Sequence, residues 1–214
     1  MAFDYKKEFK EFYLPKNKPS IINIPEMNFI SVSGHGNPND EKGEYKAAME
    51  LLYTIAFTLK MSYKGDYKIK DYFQYVVPPL EGFWWQNGIE GIDYSSKETF
   101  NWISLIRLPD FVSKKDFDWA VKTAEKKKNK SFEKVPFLTY EEGLCVQCMH
   151  LGSYDDEPKT IALMENYAKE NGYKIDINEN RYHHEIYLSD PRRCSKDKLK
   201  TVIRHPIKKT LNKN

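Results

Sequence analysis

The chain carries one pattern twice, so any fold it adopts has to accommodate two related halves. Residues 28–36 (NFISVSGHG) lead into the turn 37–41 (NPNDE) and then a helical stretch from Glu44 to about Met61. Residues 144–152 (LCVQCMHLG) lead into 153–157 (SYDDE) and then a helical stretch from Pro158 to Glu170. Gly36 and Gly152 take the same place, each closing a strand before a turn rich in Asn, Asp and Pro or Ser. A repeat on this scale is the first thing an architecture must explain.

The helices follow from spacing. Tyr45, Ala48, Met49, Leu52, Ala56 and Leu59 obey the i, i+3, i+4, i+7 rule, as do Ile161, Met164 and Ala168 in the second copy. Pro158 suits a first helical turn and Gly172 a left-handed stop. Each helix leads to two strand candidates: Tyr75 to Gln86 and Asn101 to Phe111 in the first half, Arg181 to Ser189 and Lys200 to Pro206 in the second. Between the halves, Ser113 and Asp116 have capping-box spacing. They open a helix whose buried stripe is Phe117, Ala120, Val121 and Ala124, with Trp119 on the opposite side. Val135 to Tyr140 reads as a short edge strand. The expectation is one α+β domain over residues 1–214, in tandem pseudo-symmetric strand-helix-strand-strand units. Half one covers about 20–112, a connecting helix 113–130 and half two about 131–207. Antiparallel sheets would form a central aromatic cleft, with the helices on the outer face.

Composition removes several classes. The 34 basic and 31 acidic residues leave a formal charge of +3 in 214 residues, and only Arg107, Arg181, Arg192, Arg193 and Arg204 are arginines. A nucleic-acid surface favours Arg forks on a one-sided basic stripe, so no nucleic-acid partner is expected, and the lysines at 126–130 and 208–209 read as solvated ends. Leu51 to Leu59 is the longest uncharged apolar-rich stretch, far short of the roughly 20 residues that span a bilayer. The amino-terminal residues lack a signal-peptide pattern, and a cytoplasmic location is expected. Cys145 and Cys148 form a C-x-x-C on a strand, where residues three apart face opposite ways, so buried structural cysteines are expected rather than a redox pair. No metal and no cofactor are expected. The oligomeric state is not indicated.

The 4 Trp, 15 Tyr and 12 Phe exceed the obvious needs of a core this size. Some of them cluster around two glutamates. Residues 80–83 (LEGF) match 184–187 (HEIY) as a carboxylate with a ring two residues on. Period two puts Glu81, Phe83 and Trp85 on one strand face, and His183, Glu185 and Tyr187 on one face of the other. If a pseudo-two-fold axis relates the halves, both carboxylates and at least four rings converge on one concave, apolar pocket. A glutamate walled by rings is desolvated, which suits it to general acid or base work near neutral pH or to holding a cation. The bland alternative makes both glutamates exposed or salt-bridged strand residues.

Residues 182–193 (YHHEIYLSDPRR), with 200–206 (KTVIRHP), 142–158 (EGLCVQCMHLGSYDDEP) and 105–112 (LIRLPDFV), resemble the gyrase-inhibitor-like (GyrI-like) small-molecule-binding family over nearly the whole chain from about residue 20. The resemblance implies tandem strand-helix-strand-strand units. It also implies that Glu185 lies at the bottom of an aromatic cleft with Glu81 as its partner. Phe83, Trp85 and Tyr187 share those faces; Trp84 and Trp102 contribute according to strand register, while Tyr53 and Phe57 flank the first helix stripe. The family includes ligand-sensing domains of multidrug-responsive regulators, gyrase inhibitory proteins and stand-alone hydrolases of cyclopropane-bearing DNA-alkylating natural products. The residues ahead of the first strand offer no helix-turn-helix.

On the hydrolase reading, Glu185 activates water to open the strained ring, and Tyr187 or Glu81 stabilises the developing phenolate. His183 either tunes Glu185 or sits at the rim. Two other classes stay open: a binder of hydrophobic or cationic small molecules, and a protein partner using Trp119 with the acidic turns 39–41 and 155–157.

Overall fold

The computed structural model describes residues 2–89 and 91–210. Two single-turn helices, α1 (Tyr5–Glu8) and α2 (Lys10–Tyr13), precede β1 (Ser20–His35), α3 (Glu44–Lys60), β2 (Leu80–Trp85) and β3 (Asn101–Arg107). After α4 (Lys114–Lys128) come β4 (Phe137–Leu151), α5 (Glu157–Glu170), β5 (Tyr173–Ile175), β6 (His183–Tyr187) and β7 (Lys200–Lys209). Every strand pairing is antiparallel. The strands run in the order β4-β1-β3-β2-β6-β7, and β4 also pairs β7, so the sheet closes into a barrel with β5 appended to β7.

This corrects the expectation of separate sheets, and the reason lies in the two longest strands. β1 pairs β4 through residues 20–30 and β3 through residues 29–35, while β4 pairs β1 through residues 137–147 and β7 through residues 145–151. Each serves two neighbours by bending. In β4, Gly143 has φ of 68°, a left-handed conformation that a residue without a Cβ adopts at little cost and that marks a kink inside a strand. The edge strand expected at 135–140 is simply the first arm of β4.

The helices pack on the outer face. Leu52, Ile55 and Leu59 of α3 are fully buried against Ile30, Val32, Trp102 and Ile106 of the sheet, and Phe117, Ala120 and Ala124 of α4 extend the same cluster. Fully burying one such leucine contributes about 1.5–3 kcal/mol, and truncation to Ala, which also leaves a cavity, costs about 2–5 kcal/mol. Met164 and Ala168 of α5 cover Val146, Cys148 and Ile203. Inside the barrel, Met27, Phe29, Phe83 and Leu105 meet one another, and Tyr5 and Tyr13 of α1 and α2 pack with Met149, Ile186 and Val202. Ser113 caps α4 with both bonds of the capping box in place, and Gly172 follows α5 with φ of 80°.

Trp119 is not an exposed patch: it gives α4 a second contact surface, packed against the edge of the main core cluster. Its indole stacks on Tyr67 at 4.2 Å and 9°, and the Tyr67 hydroxyl donates to Asp116 at 2.8 Å. The face of α4 away from the barrel is thus covered by the segment after α3. Cys145 and Cys148 are both buried, and burial pushes both thiols up, Cys148 to about 11, which removes the thiolate that redox chemistry needs. Among the described residues, no helix is long and apolar enough to cross a membrane.

Candidate functional site

The β2–β6 pair positions the site. Its register places Leu80 opposite Tyr187, Gly82 opposite Glu185 and Trp84 opposite His183. By the period of two, these six residues share the outer face. Gly82 is required there: a Cβ would stand 2.6 Å from Trp84 Nε1 and 3.0 Å from the Tyr187 hydroxyl. The two side chains therefore lie across the bare backbone of Gly82, where Trp84 Nε1 donates to the Tyr187 hydroxyl at 2.9 Å. Over this floor, a cleft of about 1040 Å³ opens between α3 and the turn that precedes α5. Tyr45 leans on Trp84 at 5.6 Å, and Tyr154 meets Tyr187 edge-on at 5.8 Å. Tyr53 and Phe57 of α3 stand at the mouth, 37% and 48% exposed.

Glu185 reaches the cleft from this floor and is held from behind. Its Oε1 lies 3.0 Å from His183 Nε2, and His183 Nδ1 lies 2.7 Å from His205 Nε2. Next to it is Glu157, the first residue of α5, with Oε2 4.0 Å from His183 Nε2 and accepting from the Tyr94 hydroxyl at 2.8 Å. Burial and the charge of Glu185 raise the Glu157 carboxyl well above the usual range. Burial first, then Glu185, also raise the Tyr187 phenol well above its ordinary value, so Tyr187 holds its proton and acts as a hydrogen-bond donor. The donor atoms of Glu157, His183 and Glu185 all lie within 4.8 Å of one another. One imidazole and two carboxylates are a set that a transition metal ion can use.

Glu81 is not part of this cleft. It points into the barrel, where its Oε2 meets His184 Nε2 at 2.9 Å. His184 Nδ1 meets Glu142 Oε1 at 3.1 Å, and Arg204 donates to Glu142 Oε2 at 2.8 Å. Four buried groups thus alternate in sign, which fits their nearly complete removal from water. The match of LEGF to HEIY is one residue out of step with the pairing, since Gly82 rather than Glu81 faces Glu185. A shift of one residue moves a whole strand's side chains to the other face. Phe83 and Trp85 go with Glu81: Phe83 stacks on Tyr182 at 5.3 Å, and Trp85 meets the same ring at 5.1 Å. Trp102 shares the outer face but lies beneath the cleft wall, 1% exposed, over Gly34 and edge-on to Tyr45 at 5.1 Å. Glu185, Tyr187, Trp84, Tyr53 and Phe57 therefore come together at the cleft, with His183 directly behind.

Sequence reasoning missed Glu157, Tyr45, Tyr94, Tyr154 and His205. Tyr45 reads as one more member of a core stripe, and Glu157 as the end of an acidic turn. The available signal was the repeat itself, which sets the second acidic turn at the start of a helix beside the strand motif.

The model of the GyrI-like small molecule binding domain matches residues 17–208. The chain belongs to the GyrI-like family. No curated protein sequence matches it. Among solved structures, this GyrI-like chain is similar to a hydrolase from Listeria innocua, at 42% identity and a TM-score of 0.87, over 97% of this chain and 100% of that one. An uncharacterized conserved protein from Listeria innocua is 44% identical with a TM-score of 0.90, over the same shares. The C-terminal domain of EcmrR is 13% identical with a TM-score of 0.56, covering 90% of this chain and 98% of that one, and shares the fold.

Proposed function

We propose that the protein is a hydrolase of planar, hydrophobic electrophiles, in particular cyclopropane-bearing DNA-alkylating toxins, with Glu185 as the general base. The observation that carries this reading is the Glu185 carboxylate opening onto a cleft whose floor and walls are Trp84, Tyr45, Tyr154 and Tyr187. Similarity to the Listeria innocua hydrolase at 42% identity supports it. The cleft lies over the β2–β6 pairing, between α3 and the turn before α5.

In this reading, a flat substrate slides between rigid rings that lose little entropy on binding and exclude bulk water. Glu185 takes a proton from a water molecule while the water oxygen forms a bond to a cyclopropane carbon. The strained C–C bond breaks, and its electron pair passes into the conjugated carbonyl to give a phenolate. Tyr187 donates a hydrogen bond to that oxygen, and the proton held by Glu185 returns to it. Tyr187 alone fills the role that the sequence divided between Tyr187 and Glu81. The protein would act as a cytoplasmic detoxifying enzyme. The test is mass-spectrometric detection of water addition to a cyclopropane-containing alkylator: turnover by wild type, lost in Glu185→Gln with ligand affinity nearly intact, is expected. No turnover across several such compounds refutes the reading.

A second reading is a non-catalytic binder of lipophilic cations. A carboxylate among aromatic faces favours it, because a cation gains both charge pairing and cation–π contact. On this reading Glu185→Gln weakens cationic dyes, spares neutral ones and has no turnover to lose.

A further inference from the structure

We propose that Tyr45 and Tyr187 together form an oxyanion-binding site on the cleft floor, with Ser104 as the positioning residue that turns the Tyr45 hydroxyl towards the ligand. The proposal rests on the reading of the cleft as the place where a planar substrate develops a phenolate. It gives that oxygen a second donor beside Tyr187.

The site is built on one row of the sheet. Gly82 of β2 faces Ser104 of β3 on one side and Glu185 of β6 on the other, so all three share the outer face. Because Gly82 has no side chain, the space above it belongs to the Tyr187 hydroxyl, 3.0 Å from where a Cβ would stand. Neighbouring strands lie about 4.8 Å apart, which sets the Ser104 side chain one strand away from that hydroxyl. Tyr45 comes down on the same place from α3. Its ring is fixed on two sides, tilted against Trp84 at 5.6 Å and edge-on to Trp102 at 5.1 Å. Its hydroxyl has Ser104 and Tyr187 as polar neighbours.

Donor accounting then sets the directions. An indole N–H only donates, so Trp84 Nε1, at 2.9 Å, occupies a lone pair of the Tyr187 oxygen and leaves the Tyr187 proton pointing elsewhere. Ser104 Oγ is fully buried and has no hydrogen-bond partner, a state that few buried hydroxyls keep. The neighbour that relieves it is the Tyr45 oxygen. Once Ser104 donates there, the Tyr45 proton, like that of Tyr187, is left for an acceptor in the cleft. Two O–H donors, each backed by a donor of its own, thus face one ligand oxygen. Hydrogen bonds of this kind are often long in a ligand-free site and tighten when the ligand arrives, which fits the open Ser104 Oγ. Donors fixed before charge develops stabilise an oxyanion with little reorganisation. The ligand class is a flat aromatic molecule that carries, or acquires during reaction, a phenolate or enolate oxygen.

A binding measurement reads this without turnover. The probe is 4-nitro-1-naphthol, a planar phenol whose phenolate absorbs in the visible. Glu185→Gln serves as the background, because it has the neutral side chain that the base acquires on taking a proton. In that background the bound probe should show a phenolate-to-phenol ratio about tenfold above that of the free probe at the same pH, the effect of about one pKa unit. Adding Tyr45→Phe should remove most of that gain. Adding Ser104→Ala should lower the ratio by about two- to tenfold, the loss of one hydrogen bond, and should change nothing further once Tyr45→Phe is present. A loss of packing alone would weaken phenol and phenolate together and leave the ratio where it was. The proposal is overturned if the probe does not bind, if its ratio is unmoved by Tyr45→Phe, or if Ser104→Ala acts equally with and without the Tyr45 hydroxyl. In turnover, Tyr45→Phe with Glu185 intact should lower kcat by about a hundredfold with KM within about threefold, the loss of one oxyanion donor. Should wild type turn over no substrate, the hydrolase reading falls, while the probe ratio still decides whether the two phenols form the site.

Discussion

Replacing Glu142 by Gln removes the central anion of the network inside the barrel. Burial pushes the Glu142 carboxyl up, but the Arg204 guanidinium and the His184 imidazole outweigh it and hold the group at about 2, against 4.5 unperturbed. At about 1.4 kcal/mol per pKa unit, that depression contributes about 3 kcal/mol of stability. Because the folded pKa is the lower one, the contribution is complete above about pH 4.5 and disappears as pH falls towards about 2. His184 works in the other direction: burial lowers its pKa, but Glu142 and Glu81 raise it overall. Its contribution is present below the unfolded value and lost as pH rises through the folded one, outside the acid window. Glu142→Gln leaves Arg204 and His184 facing a neutral amide, at a cost of about 3–5 kcal/mol at neutral pH. Urea unfolding in steps from neutral to acid pH should show wild type losing stability faster than the variant between pH 4.5 and 2, with the m-value unchanged. Equal slopes in that window, or an unchanged midpoint at neutral pH, would refute the account of the network.

Three further outcomes follow from the geometry. Gly82→Ala drives a methyl group into Trp84 and Tyr187, so ligand affinity should fall by about tenfold while stability drops by about 1–3 kcal/mol; titration of intrinsic tryptophan fluorescence with an aromatic ligand measures the first, and unchanged affinity would remove Gly82 from the cleft floor. Phe57→Ala, at a half-exposed mouth position, should shift stability by less than about 0.5 kcal/mol and weaken a planar ligand by about 0.5–1.5 kcal/mol in calorimetry. In the native protein a thiol reagent should label Cys194, which is partly exposed, and reach Cys145 and Cys148 only on unfolding; fast labelling of all three would contradict their burial.

Much of the architecture was legible because it is local. The apolar stripe of α3, the capping box at Ser113 and Asp116, and the glycines at 36, 152 and 172 with positive φ are each set by neighbours a few residues away. Closure of the barrel was not legible, because it depends on long strands bending to reach two partners, and a kink at Gly143 leaves no periodic trace. Trp119 shows a similar limit. Its side of the wheel was plain, but its cover is Tyr67, a residue from a segment without regular structure.

The sequence by itself determined that Glu185 and Tyr187 share a strand face with His183, since alternation along one strand needs no tertiary information. It also set out a repeated strand, turn and helix pattern for the fold to accommodate. Only the tertiary structure decided which residues of β2 meet them. Strand register is set by long-range hydrogen bonds, and a shift of one residue sent Glu81, Phe83 and Trp85 into the barrel and left Gly82 and Trp84 at the cleft. The same long-range placement brought Glu157 beside Glu185, turning the end of an acidic turn into the second carboxyl of the site.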